Sequence, residues 1–110
     1  MSLIQEMRIK IKRRHYEYSK HAVDQSIIRD ISVKELEDAI AEDSEIIENY
    51  PDDKYGPSCL ILCHTKAGRP LHIQCSYPDQ PLVKVITLYE PDPEMWVDFR
   101  IRRQDGGDFE

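Results

Sequence analysis

Cys59-Leu60-Ile61-Leu62-Cys63-His64-Thr65, then Lys66-Ala67-Gly68-Arg69-Pro70, then Leu71-His72-Ile73-Gln74-Cys75-Ser76-Tyr77, settles the architecture. Two β-rich runs flank a short loop that holds Gly68 and Pro70, which is the pattern of an antiparallel hairpin. Downstream, Leu82 to Tyr89 is the most apolar run and is expected inside the sheet, ended by Pro91 and Pro93. Met95, Trp96 and Phe99 are expected to pack a short terminal segment on the core. Upstream, Glu45 to Tyr50 reads as a short strand closed by Pro51. The turn formers Asp52-Asp53-Lys54-Tyr55-Gly56-Pro57 then lead into the hairpin.

Ahead of these strands the periodicity changes from two to that of a helix. Leu3, Ile4, Met7 and Ile11 share one helical face, predicting a helix from about Leu3 to Arg13. The alternation of Met7, Ile9 and Ile11 offers a competing strand reading, but the helical stripe begins earlier. Ser19, after Tyr16 and Tyr18, is an N-cap for a second helix through about Asp30, with Ala22, Val23, Ile27 and Ile28 as its apolar positions. Ser32-Val33-Lys34-Glu35 is a capping box, in which hydroxyl and carboxylate each satisfy an orphan amide. The helix it opens carries Val33, Leu36 and Ile40 inward and ends near Glu42. Helices followed by strands predict an α+β fold: two to three N-terminal helices packed on one face of a four-stranded, mostly antiparallel sheet.

The chain has 110 residues, 40% hydrophobic and 33% charged, a length that suits one domain and an apolar share that supports a packed core. A single domain over residues 1–103 is expected, with 104–110, including Gly106-Gly107, as a flexible tail. No run approaches the ~18 apolar residues of a membrane helix, and charges interrupt the stretch where a secretory leader would be apolar. A cytoplasmic location and no membrane partner are therefore expected. Cys59, Cys63 and Cys75 form no CxxC pair and are expected as reduced, buried thiols.

The net charge of −6 is unevenly spread: Met1 to Lys20 carries +4, and Asp30 to Tyr55 carries −8. An acidic protein is a poor non-specific nucleic-acid binder, because phosphate repulsion opposes long-range association. A basic N-terminal surface meeting Arg100, Arg102 and Arg103 still permits local binding.

His21, Gln25 and Arg29 recur every four residues and share one face of the second helix, the ends about 12 Å apart at ~1.5 Å per residue. Such a row suits a phosphodiester, since Arg holds phosphate bidentately and His titrates near neutrality. It equally suits structural roles, with His21 capping the sheet or pairing with an acid and Arg29 pairing with the acidic third helix. On the strands, His72 shares a face with Gln74. If that face is open, His72 is a candidate general base, with Tyr89 and Thr87 on the neighbouring strand as donors; otherwise it makes a cross-strand hydrogen bond. Cys59, Cys63, His64, His72 and Cys75 invite a zinc reading, but their strand parity divides them between faces and close ligand pairs are missing. No metal and no cofactor are expected. The chain has no GxSxG elbow, no phosphate-cradling glycine loop and no HExxH.

Several stretches together resemble a bacterial family, domain of unknown function 4258. They are Tyr18-Ser19-Lys20-His21-Ala22, Arg29-Asp30-Ile31-Ser32, Tyr50-Pro51-Asp52-Asp53-Lys54-Tyr55-Gly56-Pro57-Ser58-Cys59-Leu60, Arg69-Pro70-Leu71-His72, and Val85-Ile86-Thr87-Leu88-Tyr89-Glu90-Pro91-Asp92-Pro93 with Trp96. The resemblance runs from about Ile4 to Arg103. It departs at Gln25, where the family usually has Arg, and at Cys63, where it usually has Gly. The family's helices-then-meander layout is similar to RelE/ParE-type toxins, including the BrnT group. That similarity implies an RNA-cleaving toxin of a toxin–antitoxin pair, or its inactive derivative, with an antitoxin protein and RNA as partners. It implies His21, Arg29, His72 and Tyr89 as catalytic residues, and Arg13, Arg14, Lys20 and Arg103 as contacts to the nucleic-acid backbone. The alternative from a different class is a non-catalytic interaction module, a homodimer joined through its opposite-sign surfaces.

Overall fold

The computed structural model describes residues 1–103; the expected tail at 104–110 lies outside them. Three helices, α1 (Leu3–Lys12), α2 (Lys20–Ile28) and α3 (Val33–Glu42), are joined by the strands β1 (Tyr16–Tyr18), β2 (Ser44–Tyr50), β3 (Ser58–His64), β4 (Pro70–Ser76), β5 (Val83–Tyr89), β6 (Trp96–Val97) and β7 (Ile101–Arg102).

Helix starts follow local chemistry. Ser2 caps α1 in a capping box with Gln5, Ser19 caps α2 by accepting from the Ala22 amide, and Ser32 and Glu35 make the expected reciprocal box on α3. Met7 and Ile11 of α1 and Leu36, Ala39 and Ile40 of α3 are buried. They meet Cys59, Ile61, Leu71, Ile73, Val83, Val85 and Leu88 of the sheet in one apolar cluster.

Two helical expectations are corrected. Val33, expected inward, is 49% exposed at the first position of α3. In α2 only Ala22 is buried, while Val23, Ile27 and Ile28 face solvent at 42%, 73% and 73%. The half-buried positions that follow Ala22 are Gln25 and Ser26, three and four residues on, so the inward face of α2 is small and polar. This nine-residue helix lies over β5 and β1, where a small residue lets the backbone approach closely.

The sheet has five strands in the order β1-β5-β4-β3-β2, rather than four. The additional strand is Tyr16–Tyr18, paired parallel to β5 in the register Tyr16↔Val83 and Tyr18↔Val85. The remaining pairs are antiparallel, so the sheet is mixed. Three residues carry no usable alternation, and β1 exists only because the distant β5 offers free backbone groups. The terminal segment also differs from expectation. It forms the separate β6–β7 hairpin, in which Trp96 is buried but Met95 is 59% exposed. No helix among the described residues is long and apolar enough to cross a membrane.

Candidate functional site

Strand alternation gives the sheet face turned away from the helices a mixture of polar and apolar residues. His72 stands opposite Tyr89, and Gln74 stands opposite Thr87, across the β4–β5 ladder. Leu62 and Leu60 continue these two rows onto β3. On β2 the register slips between Ile46 and Glu48, leaving Ile47 as an extra residue. The bulge changes the parity of the remaining β2 residues, so Glu48 lies opposite Leu60 and Tyr50 opposite Ser58 on this rear face.

His72 is completely buried, because the β6–β7 hairpin lies over it. The Trp96 ring stands edge-on at 4.4 Å and the Tyr89 ring at 5.3 Å, centroid to centroid. The open-face condition for His72 as a solvent-facing base is therefore not met. Its Nε2 lies 2.6 Å from the Phe99 carbonyl oxygen, and its Nδ1 lies 3.2 Å from the Tyr89 hydroxyl. A carbonyl only accepts, so Nε2 carries the proton. Nδ1 of the neutral ring is then an acceptor, and Tyr89 donates to it. Burial pushes the His72 pKa below its ordinary value, and the Arg102 charge acts the same way, while the Phe99 carbonyl and Glu48 oppose them.

Phe99 sits at φ +60° beside Asp98 at φ +52°, and the Arg100 amide donates back to the Val97 carbonyl at 2.9 Å. Two consecutive left-handed residues give the tight hairpin turn its twist, and a bulky residue adopts that conformation at a cost of about 1–3 kcal/mol. The bond from His72 holds the strained carbonyl in place.

Beside this pair lies a pocket of about 250 Å³ lined by Glu48, Tyr50, Asp53, Leu60, Gln74 and Arg102. Arg102 engages Glu48 through Nε at 2.8 Å and Nη2 at 3.2 Å, and its guanidinium lies over the Trp96 ring at 4.7 Å. Tyr50 also donates to Glu48. Burial raises the Glu48 pKa, but the hydrogen bonds from Arg102 and Tyr50 and the Arg102 charge outweigh it, so the carboxyl is held below its ordinary range. Burial raises the Tyr89 hydroxyl; the Arg102 and Arg29 charges oppose this, and Glu48 and Tyr50 reinforce it.

Arg29 reaches this end of the sheet because α2 runs along β5. The helix begins where Ser19 bonds the Val85 and Ile86 carbonyls, and it ends where Arg69 clamps the Arg29 and Asp30 carbonyls and pairs with Glu90 at 2.8 Å. The Arg29 side chain is exposed and bonds Gln25 at 2.7 Å. It does not pair with α3; Arg69 is the residue that reaches Glu35 there, at 3.9 Å.

His72 and Tyr89 thus meet on the rear face, while Arg29 ends α2 on the helix side at the same end of β5, near enough for its charge to act on Tyr89. His21 is exposed two turns back, about 12 Å from Arg29 along the helix. Lys20 is exposed beside it. Arg13 and Arg14 lie at the opposite end of β5, roughly 20 Å away at ~3.3 Å per residue, and Arg14 pairs with Glu37 at 3.5 Å. Arg103 follows β7, with Nε donating to the Pro93 carbonyl at 3.2 Å.

Sequence reasoning misses Glu48 and Tyr50, and it places Arg102 on a basic surface rather than in a bridge to Glu48. The spacing of Glu48 and Tyr50, two residues apart on a strand, is the only local signal that they share a face. Cys59, Cys63 and Cys75 are buried free thiols on the helix side, and His64 pairs instead with Asp43 at 3.3 Å. Burial pushes Cys59 up to about 11 and Cys63 up to about 12. Among the described residues, no three His, Cys, Asp or Glu side chains cluster as a metal site.

Comparison with curated proteins and with solved structures finds no match. One family does match, described as Domain of unknown function (DUF4258), over residues 18–90. Those residues hold α2, α3 and β2 to β5 with the last residue of β1, carrying Arg29, His72, Tyr89 and the Glu48–Tyr50 strand, and leave α1 and the covering β6–β7 hairpin outside. The match covers well over half of the chain, which belongs to the DUF4258 family.

Proposed function

We propose that this protein cleaves RNA, as a toxin of RelE/BrnT-like layout whose partner is an antitoxin protein. One observation carries the reading: the Tyr89 hydroxyl spends its proton on the buried Nδ1 of His72, leaving its oxygen lone pairs for substrate. A hydroxyl so committed accepts a proton rather than donating one. An RNA 2′-hydroxyl supplies such a proton. Its oxygen attacks the adjacent phosphorus as the P–O5′ bond breaks, giving a 2′,3′-cyclic phosphate and a 5′-hydroxyl. The 2′-hydroxyl proton moves to Tyr89 while the Tyr89 proton moves to His72, and water protonates the departing 5′-oxygen.

Burial opposes the imidazolium this creates, and the charge of Glu48 favours it. Arg29 is the exposed cation at this end of β5 and offsets charge on the phosphoryl oxygens, as catalysis of this kind requires. Lys20 on α2 contacts the nucleic-acid backbone, joined there by His21, which stands too far from Tyr89 for the catalytic role expected of it, with Arg13, Arg14 and Arg103 further out. His72 touches no substrate; it positions Tyr89 and stores its proton.

The test is incubation of the purified protein with RNA and with translating ribosomes, beside growth on induced expression. Tyr89→Phe should lower cleavage by about 10²–10⁴-fold, the usual worth of a positioned base, in a chain that stays folded but loses about 1–3 kcal/mol through the unpaired Nδ1 of His72. No cleavage and no growth effect from the unaltered protein, or full activity in Tyr89→Phe, overturns the reading.

A second reading, a non-catalytic module that pairs with a second copy, is favoured by the exposed Val23, Ile27 and Ile28 on α2. Sedimentation at high protein concentration tests it. A dimer dispersed by Ile27→Glu supports it, and a monomer at every salt concentration removes it.

A further inference from the structure

We propose that the pocket bounded by Glu48, Tyr50, Asp53, Leu60, Gln74 and Arg102 is a nucleobase subsite that selects guanine. It deepens the ribonuclease reading and rests on it for the biological meaning of the bound base.

Charge excludes the obvious alternative occupant. Two carboxylates, Glu48 and Asp53, line the pocket against one guanidinium, and Glu48 already neutralises that guanidinium. A phosphate entering here meets net negative charge, so the phosphodiester belongs outside, beside Arg29 and Tyr89. A neutral, flat, polar group is what remains. The pocket volume of about 250 Å³ accommodates one such ring system.

The unspent hydrogen-bonding groups then select among bases. Arg102 uses Nε and one Nη2 hydrogen on Glu48 and a further hydrogen toward Tyr50, which leaves two of its five donors for a ligand. Asp53 spends Oδ1 on the Tyr55 amide at 3.0 Å, which leaves Oδ2 as an acceptor. Gln74 spends one amide hydrogen on Ser58 at 3.4 Å and keeps a donor and its oxygen. Guanine presents the complement: O6 and N7 accept, and N1–H and N2–H₂ donate. Arginine on O6 and N7 is the commonest specific contact to this base. Adenine keeps N7 but offers N6–H₂ where guanine has O6 and has no N1–H, so it cannot take both Arg102 donors at once nor give Asp53 the paired N1–H and N2–H contacts. The Tyr50 ring supplies an aromatic wall against which a base can stack.

Position agrees with chemistry. Gln74 is two residues from His72 on one strand and on the same face, a step of about 6.6 Å. Thr87 and Tyr89 repeat that step on β5. A base seated at Gln74 therefore places its own ribose and phosphate in the neighbouring row, at Tyr89.

The probe is free guanosine against adenosine, neither of which carries phosphate, titrated into the full chain. Trp96 is the chain's single tryptophan and lies under Arg102, so its emission reports occupancy. Guanosine should bind at least tenfold more tightly than adenosine. Asp53→Asn keeps the acceptor for the Tyr55 amide but replaces the outer oxygen by a donor, and it should abolish the preference without moving the unfolding midpoint. Equal affinities, no emission change up to millimolar guanosine, or a preference that survives Asp53→Asn overturns the proposal. Guanosine selectivity in a protein that cleaves no RNA upholds the subsite and overturns the ribonuclease; cleavage without guanosine binding does the reverse.

Discussion

Replacing His72 by Ala removes the buried side chain that, beside the Glu48–Arg102 and Glu45–Arg100 pairs, ties the β6–β7 hairpin to the sheet. The Phe99 carbonyl loses its donor at 2.6 Å inside a covered region, and a buried polar group left unpaired costs about 1–3 kcal/mol. The edge contacts to Trp96 and Tyr89 disappear too, each worth about 0.5–1.5 kcal/mol. Tyr89 is only half-buried, so its hydroxyl recovers a water and adds little. The sum is about 4 kcal/mol at the middle of these ranges, which lowers Tm by roughly 16–32 °C for a domain of this size. The left-handed strain at Phe99 is then no longer restrained, so the hairpin should loosen before the sheet melts. Urea unfolding followed by far-ultraviolet circular dichroism gives the free energy, and Trp96 emission gives the hairpin. Trp96 should shift to the red at urea concentrations that leave the helical signal intact. A loss below about 1 kcal/mol, the worth of one ordinary hydrogen bond, together with unchanged Trp96 emission, would refute this reasoning.

Three further outcomes rest on the same contacts and on the core. His72 has a folded pKa below its ordinary 6.5, so the unfolded chain binds its proton first. Its contribution to stability is complete above pH 6.5 and is lost as the pH falls below that value; His72→Gln should flatten this slope in urea midpoints measured across pH. Glu48→Gln weakens the bridge to Arg102, whose side chain is 62% exposed; after solvent screening this costs about 1 kcal/mol, with a looser hairpin by hydrogen exchange. Ile27→Ser should change stability by less than about 0.5 kcal/mol, whereas Leu36→Ala should cost about 2–5 kcal/mol, both read by chemical denaturation.

The features legible in the sequence are those that short-range physics decides. Ser32 and Glu35 meet within one helical turn, and the β3–β4 hairpin needs only its loop and two β-rich runs. The placement of His72 and Gln74 against Tyr89 and Thr87 also comes from strand parity. The rest depends on partners far along the chain. Tyr16–Tyr18 becomes a strand because β5 leaves an edge to pair. The inward face of α2 is set by how closely a nine-residue helix approaches β5, which selects Ala22 over the larger Val23 and Ile27. One extra residue at Ile47 reverses the parity of β2, and no local pattern announces that slip. Arg102 joins the site because β7 folds back more than fifty residues from Glu48. His72 and Tyr89 are legible as cross-strand neighbours and do meet, while His21 and Arg29 stand two turns apart on α2, because a helix row extends over a distance that one phosphate does not.

Tyr89 presents an oxygen acceptor because its proton is committed to a neutral, buried imidazole, and catalysis as proposed depends on that commitment. Long-range ¹⁵N–¹H correlation of the His72 ring measures it directly. A protonated Nε2 and an unprotonated Nδ1 are predicted, persisting below pH 6.5, with the Nδ1 resonance moved by Tyr89→Phe. A ring that titrates at the ordinary histidine value, or one that carries its proton on Nδ1, would contradict this.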